Sequence, residues 1–422
     1  MRILYDIAIY LYFFGARVIA LFSHKAALFV NGRKGLMRAV SEAMRERGER
    51  ETVWFHCSSV GEFEQARPLI ERLKSISPDK YVLLTFFSPS GYMLRQHYDY
   101  ADAVFYLPMD TRRNARRFLD AVRPATAIFV KYEFWYNYLT ALKQRHTDTY
   151  IISAIFRPGQ IFFRRYGVFM RRILRTYTTL FVQNEESRRL LAGLGVNNVI
   201  IAGDTRFDRV QEICSGNDMH NDVMETFIGN RRAWVAGSTW EEDEYVISKS
   251  LKHVLEAKLI LVPHEVHGQH ISRIRSIFQE YSVILYSECS GRPREEWQVE
   301  AEAADVLIID VVGLLSSLYK YGDFAYVGGG FSSSGIHNIL EAAIYGCPVI
   351  FGPHYEKFQE AKDLISLGGA FSISSCKELR PLLEWWVHSP EVLERLSLIC
   401  TQYIESHLGA SDKIMQHIFK NA

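Results

Sequence analysis

From Thr52 onward, short apolar runs recur, each closed by a turn and followed by a helical stretch, and this alternation leaves few folds open. Residues 53–57, 81–85, 103–107, 125–130, 150–154 and 180–183 read as strands, with helical sequence such as 112–121 between them. A second series follows at 233–236, 259–262, 306–310, 324–327 and 348–351. Apolar strands alternating with helices imply parallel sheets covered on both faces. At 422 residues the chain exceeds one ordinary core, so the two series predict two doubly wound, Rossmann-like α/β domains facing a cleft. The expected layout is an apolar helix over 1–25, a first domain over 26–210, a linker over 211–232 and a second domain over 233–400. A last helix over 401–422 is expected to pack back toward the first domain.

The second series contains GDFAYVGGGFSSSGIHNILEAAIYGCPVIFGP, residues 322–353. The strand 324–327 ends at Gly328, Gly329 and Gly330, where three residues without a β-carbon let the backbone approach a ligand closely or simply turn. Ile336, Leu340, Ala343 and Ile344 then recur at helical spacing. A helix start there offers N–H groups and a positive dipole end to an anion. Glu341, one and a half turns in, suits the hydroxyl pair of a ribose. Phosphate donors plus a ribose-holding carboxylate describe a nucleotide-sugar site, and two such domains sharing a cleft are the GT-B architecture of glycosyltransferases.

In the first series, His56, Ser58, Glu62, Ser88 and Glu133 all fall at the carboxyl ends of strands, where ligands of such sheets bind. Glu62 follows a glycine at a helix start. It reads either as the general base for a sugar hydroxyl or as an acid complementing the helix dipole. Glu133 is a second carboxylate near the same rim, and His56 reads as a supporting group. The segment FFRRYGVFMRRILR carries Arg164, Arg165, Arg171 and Arg172. It reads as a contact for glycolipid phosphates or anionic headgroups, or as a solvated basic face.

Residues 3–22 form the most apolar run, interrupted by Asp6 and Arg17 and followed by Lys25, Arg33 and Lys34. No small-residue cleavage site follows it, so it reads as a membrane anchor, spanning or lying on the surface, with a buried helix as the alternative. Net charge is +1, yet residues 1–210 carry 32 Lys and Arg against 19 Asp and Glu, and the remainder 17 against 29. The first half is therefore built to face something anionic. Six cysteines without a CxxC pair argue against a disulfide framework or a zinc ribbon and for a reducing compartment.

HCSSVGEF (56–63), KYEFWYN (131–137), QNEE (183–186), GDTRFD (203–208), GST (237–239), LVPHE (261–265) and VGGGFSSSGIHNILEAA (327–343) occur in the order found in another group of proteins. The chain thereby resembles the 3-deoxy-D-manno-octulosonic acid (Kdo) transferases. The resemblance implies an inverting transferase at the cytoplasmic face of the bacterial inner membrane, with no metal or cofactor. Its expected partners are the donor CMP-Kdo, a lipid A precursor (lipid IVA) and an anionic membrane surface, with no nucleic acid. Glu62 falls on the family's general base. The donor site falls on Pro263, His264, Val312, Gly313, Leu314, Asn338, Ile339, Leu340 and Glu341. Supporting positions are His56, Ser58, Glu133, Arg206, Ser238, Thr239, Gly329, Gly330 and His337. His264 stands where the family usually has Arg, Arg206 where it has Lys, Lys131 where it has an acid, Asp204 where it has Ser or Asn, and Leu314 where it has Glu. The alternatives are a GT-B nucleotide-sugar epimerase, another lipid-linked glycosyltransferase, or an inactive nucleotide-sugar-binding membrane protein.

Overall fold

The computed structural model of the chain describes residues 2–216 and 220–419. Two compact units result, one of residues 1–209 with 408–422 and the other of residues 210–407. The first holds strands β1 (Thr52–Cys57), β2 (Tyr81–Phe86), β3 (Ala103–Tyr106), β4 (Thr126–Val130), β5 (Asp148–Ala154), β6 (Thr179–Val182) and β7 (Val199–Ile201). They form one parallel sheet in the order β3-β2-β1-β4-β5-β6-β7. Its helices include α1 (Arg2–Ile19), α2 (His24–Asn31), α3 (Leu36–Glu46), α4 (Val60–Ile76), α5 (Pro89–Arg95), α6 (Arg112–Val122), α7 (Tyr136–Gln144) and α8 (Val168–Leu174).

Every residue of β1 and β2 is buried. Alternate side chains serve opposite faces: Trp54 joins Phe118 and Tyr138 on one side, while Val53 and Phe55 join Phe63 and Leu69 on the other. Each such large side chain stabilises the fold by about 1.5–3 kcal/mol through burial. The helix Ala410–Ile418 completes the second face, with Ile414 and Met415 in that cluster. Its start is held by Asp208, whose carboxylate accepts from Gly409 N (2.7 Å) and Ser411 N (2.6 Å).

The second unit repeats the plan with β8 (Ala233–Thr239), β9 (Lys258–Pro263), β10 (Val283–Leu285), β11 (Val306–Ile308), β12 (Phe324–Val327), β13 (Val349–Phe351) and β14 (Ala370–Ser372). All are parallel, in the order β10-β11-β9-β8-β12-β13-β14. In each sheet the chain moves outward from its first strand and returns to that strand's other side. The order therefore reverses between β1 and β4 and again between β8 and β12, and ligands of open parallel sheets bind above such reversals.

Several expectations change. The linker expected over 211–232 carries helical residues: helix Arg206–Gly216 runs into it and helix Asp222–Ile228, capped by Asn221, lies within it, while residues 217–219 lie outside the described residues. The helix expected from Ile336 begins only at Leu340 and ends at Ala343. The arginine-bearing segment 162–175 is built of two 3-10 turns, Ile161–Phe163 and Arg165–Gly167, and the short α8. No helix of the described residues is long and apolar enough to cross a membrane. α1 has no buried residue, but it is tied to its unit by Tyr5, which donates to Asp110 (2.6 Å), and by Asp6, which accepts from Asn137 (2.8 Å).

Candidate functional site

The β1/β4 reversal gathers the residues expected from the first series. Glu62 sits in the first turn of α4, partly exposed, and accepts a hydrogen bond from Ser59 Oγ. That turn is held from behind. Gln65, buried one turn on, donates to Asp204 (2.9 Å), and Thr205 Oγ1 donates to the Gln65 carbonyl (2.6 Å). Asp204 also accepts from Gln183 (3.0 Å) and from Arg206 Nε (3.0 Å). Burial pushes the Asp204 carboxyl up, but Arg206 and these donors outweigh it and hold it below its ordinary value. Arg206 is thus a partner of Asp204. Lys131 and Ser153, at the ends of β4 and β5, take positive φ (63° and 49°), so the rim carries backbone strain.

Glu133 is buried and has both oxygens engaged. Oε1 accepts from Ser58 (2.6 Å), and Oε2 pairs with His56 Nε2 (3.0 Å) and accepts from Trp135 Nε1. His56 is itself fully buried, with Nδ1 against Thr85 Oγ1 (2.9 Å). Neither can reach a ligand without breaking this network, which leaves Glu62 as the accessible carboxylate of the cluster. Arg164, Arg165 and Arg172 are exposed. Arg171 instead braces its own loop, donating to the carbonyls of Phe162 (2.7 Å) and Arg164 (2.7 Å).

In the second unit the β8/β12 reversal brings together three rings from three loops. His264, following β9, stacks between Trp240 (4.7 Å between ring centres) and His337 (4.4 Å). Its amide donates to the Thr239 carbonyl (3.0 Å), and Trp240 Nε1 donates to His337 Nε2 (3.2 Å). Burial and the neighbouring His264 press the His337 imidazole down to about 4, and burial lowers His264 as well. Close by, Glu341 accepts from Asn338 Nδ2 (3.0 Å) and from Ser316 Oγ (2.6 Å). That second bond ties the helix Leu340–Ala343 to the segment following Val312, Gly313 and Leu314. Val312 is 81% exposed and Gly313 takes φ 93° with open space beside it.

The glycine cluster does not do what its composition suggests. A β-carbon on Gly330 would lie 2.6 Å from Gly352 N, and one on Gly328 would strike the Ser238 carbonyl. Gly329, at φ 89°, gives its N–H to Asp243 (2.9 Å), which also accepts from Tyr326 OH (2.7 Å). The glycines are required because backbone packs on backbone here, and the Gly329 donor is spent inside the protein. With only four residues, the helix Leu340–Ala343 supplies little dipole. Ile339, Leu340 and Pro263 are buried, so their side chains cannot touch a donor; the Leu340 N–H is already given to Asn338 Oδ1 (3.2 Å), and Pro263 has no N–H to offer. Ser238 is half-buried at φ 54°, and Thr239 is buried and donates to Glu244 (3.2 Å). Among residues not singled out from the sequence, Ser59 follows from its place three residues before Glu62, a helix-start pattern. Asp243 has a similar signal, as an acid three residues after Trp240. Ser316 has none, being 25 positions from Glu341. Among the described residues no three His, Cys, Asp or Glu side chains are grouped to hold a metal ion.

Residues 31–209 match the family described as 3-Deoxy-D-manno-octulosonic-acid transferase (kdotransferase). The 3-deoxy-D-manno-octulosonic acid transferase of Aquifex aeolicus is 27% identical over 335 residues, covering 78% of this chain and 83% of that protein. This chain is a relative of the Kdo transferases. A bifunctional glycosyltransferase/methyltransferase of Fusobacterium nucleatum is 24% identical over 85% of this chain, which spans only 55% of that protein's length. Among solved structures, a UDP-GlcNAc 2-epimerase from Neisseria meningitidis bound to UDP-GlcNAc covers 88% of this chain and all of its own, with a TM-score of 0.62 at 15% identity. That likeness is one of fold. The Kdo transferase relationship and the two seven-stranded parallel sheets agree with a GT-B-like α/β protein.

Proposed function

We propose that the chain transfers Kdo from CMP-Kdo to a lipid A precursor, lipid IVA, as an inverting glycosyltransferase with Glu62 as general base. The reading is carried by the position of Glu62, an accessible carboxylate in the first turn of a long helix at the β1/β4 reversal, beside a Glu133 already fully bonded. Glu62 takes the proton of the acceptor hydroxyl as its oxygen attacks the anomeric carbon of Kdo. The bond from that carbon to the phosphate oxygen breaks, and CMP leaves with the electron pair.

On this reading the donor is held by the exposed edge of His264, by main-chain groups of 312–314 and 338–341, and by Glu341 at the ribose. His264 and His337 meet the donor's negative charge as neutral hydrogen-bonding groups. The exposed arginines Arg164, Arg165 and Arg172 face the acceptor's phosphates. α1 lies on the membrane surface, with its exposed apolar side chains in the lipid, at the cytoplasmic face of the inner membrane. No metal or cofactor takes part, so a chelator leaves the rate unchanged. The test is mass spectrometry of the product formed from CMP-Kdo and tetra-acylated lipid IVA. One or more added Kdo units support the reading, and recovery of the acceptor unchanged overturns it.

A further inference from the structure

Within the first unit, α1 does not lie flush against its neighbours. Beneath it a cavity of about 720 Å³ opens between α1, α2, α3 and the start of α6, within the size range of ligand pockets. Its apolar lining comes from Ile9, Phe13, Val30, Met37, Pro108 and Met109. Arg17, Lys34 and Arg113 also line it, and all three are exposed; no carboxylate lines it among the described residues. Arg17 lies 4.6 Å from the Phe13 ring centre. A fourth cation, Arg33, donates to the carbonyls of Phe29 (2.8 Å), Phe87 (2.8 Å) and Leu107 (3.0 Å), so it braces the cavity wall while its charge adds to the positive field there.

Apolar walls beside a cluster of one sign of charge match a single kind of occupant, an alkyl chain ending in an anion. The exposed side of α1 says where it comes from. Ile3, Leu4, Leu11, Phe14, Leu21 and Phe22 are all more than half exposed on or just after that helix, a density that marks a membrane or partner surface. We propose that this cavity binds one acyl chain of an anionic membrane phospholipid, with the lipid phosphate met by Arg17, Lys34 and Arg113. Bound in this way, the lipid fastens α1 to the bilayer surface at a defined depth. The proposal holds whatever sugar the chain transfers.

Isothermal titration of the full chain with dihexanoylphosphatidylglycerol, kept below its micelle concentration, tests it. One molecule is expected to bind per chain. Dihexanoylphosphatidylcholine, which has no net charge, should bind at least about tenfold more weakly, roughly the loss of one good charged contact. Met37→Trp adds bulk to the wall and narrows the cavity, and Lys34→Glu with Arg113→Glu inverts the charge of its lining at exposed positions; each should lower affinity about tenfold or more. Inorganic phosphate at equal concentration should not displace the lipid. Unchanged binding by both variants would sink the proposal. So would equal affinity for the two lipids, or displacement by phosphate alone, which would leave a plain anion site with no use for the apolar walls.

Discussion

His264 and His337 lie face to face at 4.4 Å, and their surroundings keep both imidazoles neutral. The pH dependence follows from that. An unfolded histidine protonates near 6.5, whereas folded His337 resists protonation down to about 4. Its contribution to stability is therefore complete above 6.5 and erodes as pH falls from there toward 4. We expect the unfolding free energy of the wild type to drop by about 1–2 kcal/mol over that window from this residue, less than the full shift would give because the ring is partly exposed to solvent. His337→Phe, which keeps a ring in the stack and removes the titration, should flatten that slope in urea titrations at pH 7 and pH 4.5. An identical slope in the variant would show that the stack does not control the titration. The three rings were not legible as a group, because Trp240, His264 and His337 meet only when three distant loops converge. The glycines were legible as a place of close approach, but the chemistry of the approaching partner, here backbone, is not written in their spacing.

At the scale of elements, the helix that presents Glu62 depends on groups far away in sequence. Gln65 is gripped by Asp204 and Thr205, about 140 positions on, so GDTRFD serves as a clamp on the first turns of α4. Asp208 in the same motif caps the C-terminal helix Ala410–Ile418. Asp208→Ala removes both acceptors and should cost about 1–2 kcal/mol. In denaturant the midpoint should move accordingly, and amide exchange should rise most over residues 409–418. A uniform rise across the whole first unit would contradict a local cap. The central strands were plain from their apolar runs, since they are buried on both faces. The three strands that escaped notice, β7, β10 and β14, are three residues long and lie at sheet edges, where half the pairing and part of the burial are missing. The helix expected at Ile336 failed for a related reason: residues 336–339 carry the helical spacing, but the Ile336 and His337 amides bond to His354 and Gly328 instead.

For the whole molecule, two parallel sheets with one reversal each, and a charge surplus confined to the first half, were readable before any coordinates. What a carboxylate does there was not, because Glu62 satisfies a helix start whether or not it moves a proton. The central claim is that Glu62 acts as base while the nucleotide is held by the other unit. It is tested most directly by the single-turnover rate of Glu62→Gln with CMP-Kdo and lipid IVA, read alongside CMP binding by thermal shift. The account predicts a rate lower by about 10²–10⁴, the range of general-base contributions. The rise in melting temperature with CMP, and its absence with UDP, should be the same as in the wild type. A Glu62→Gln rate within a few-fold of wild type would contradict it.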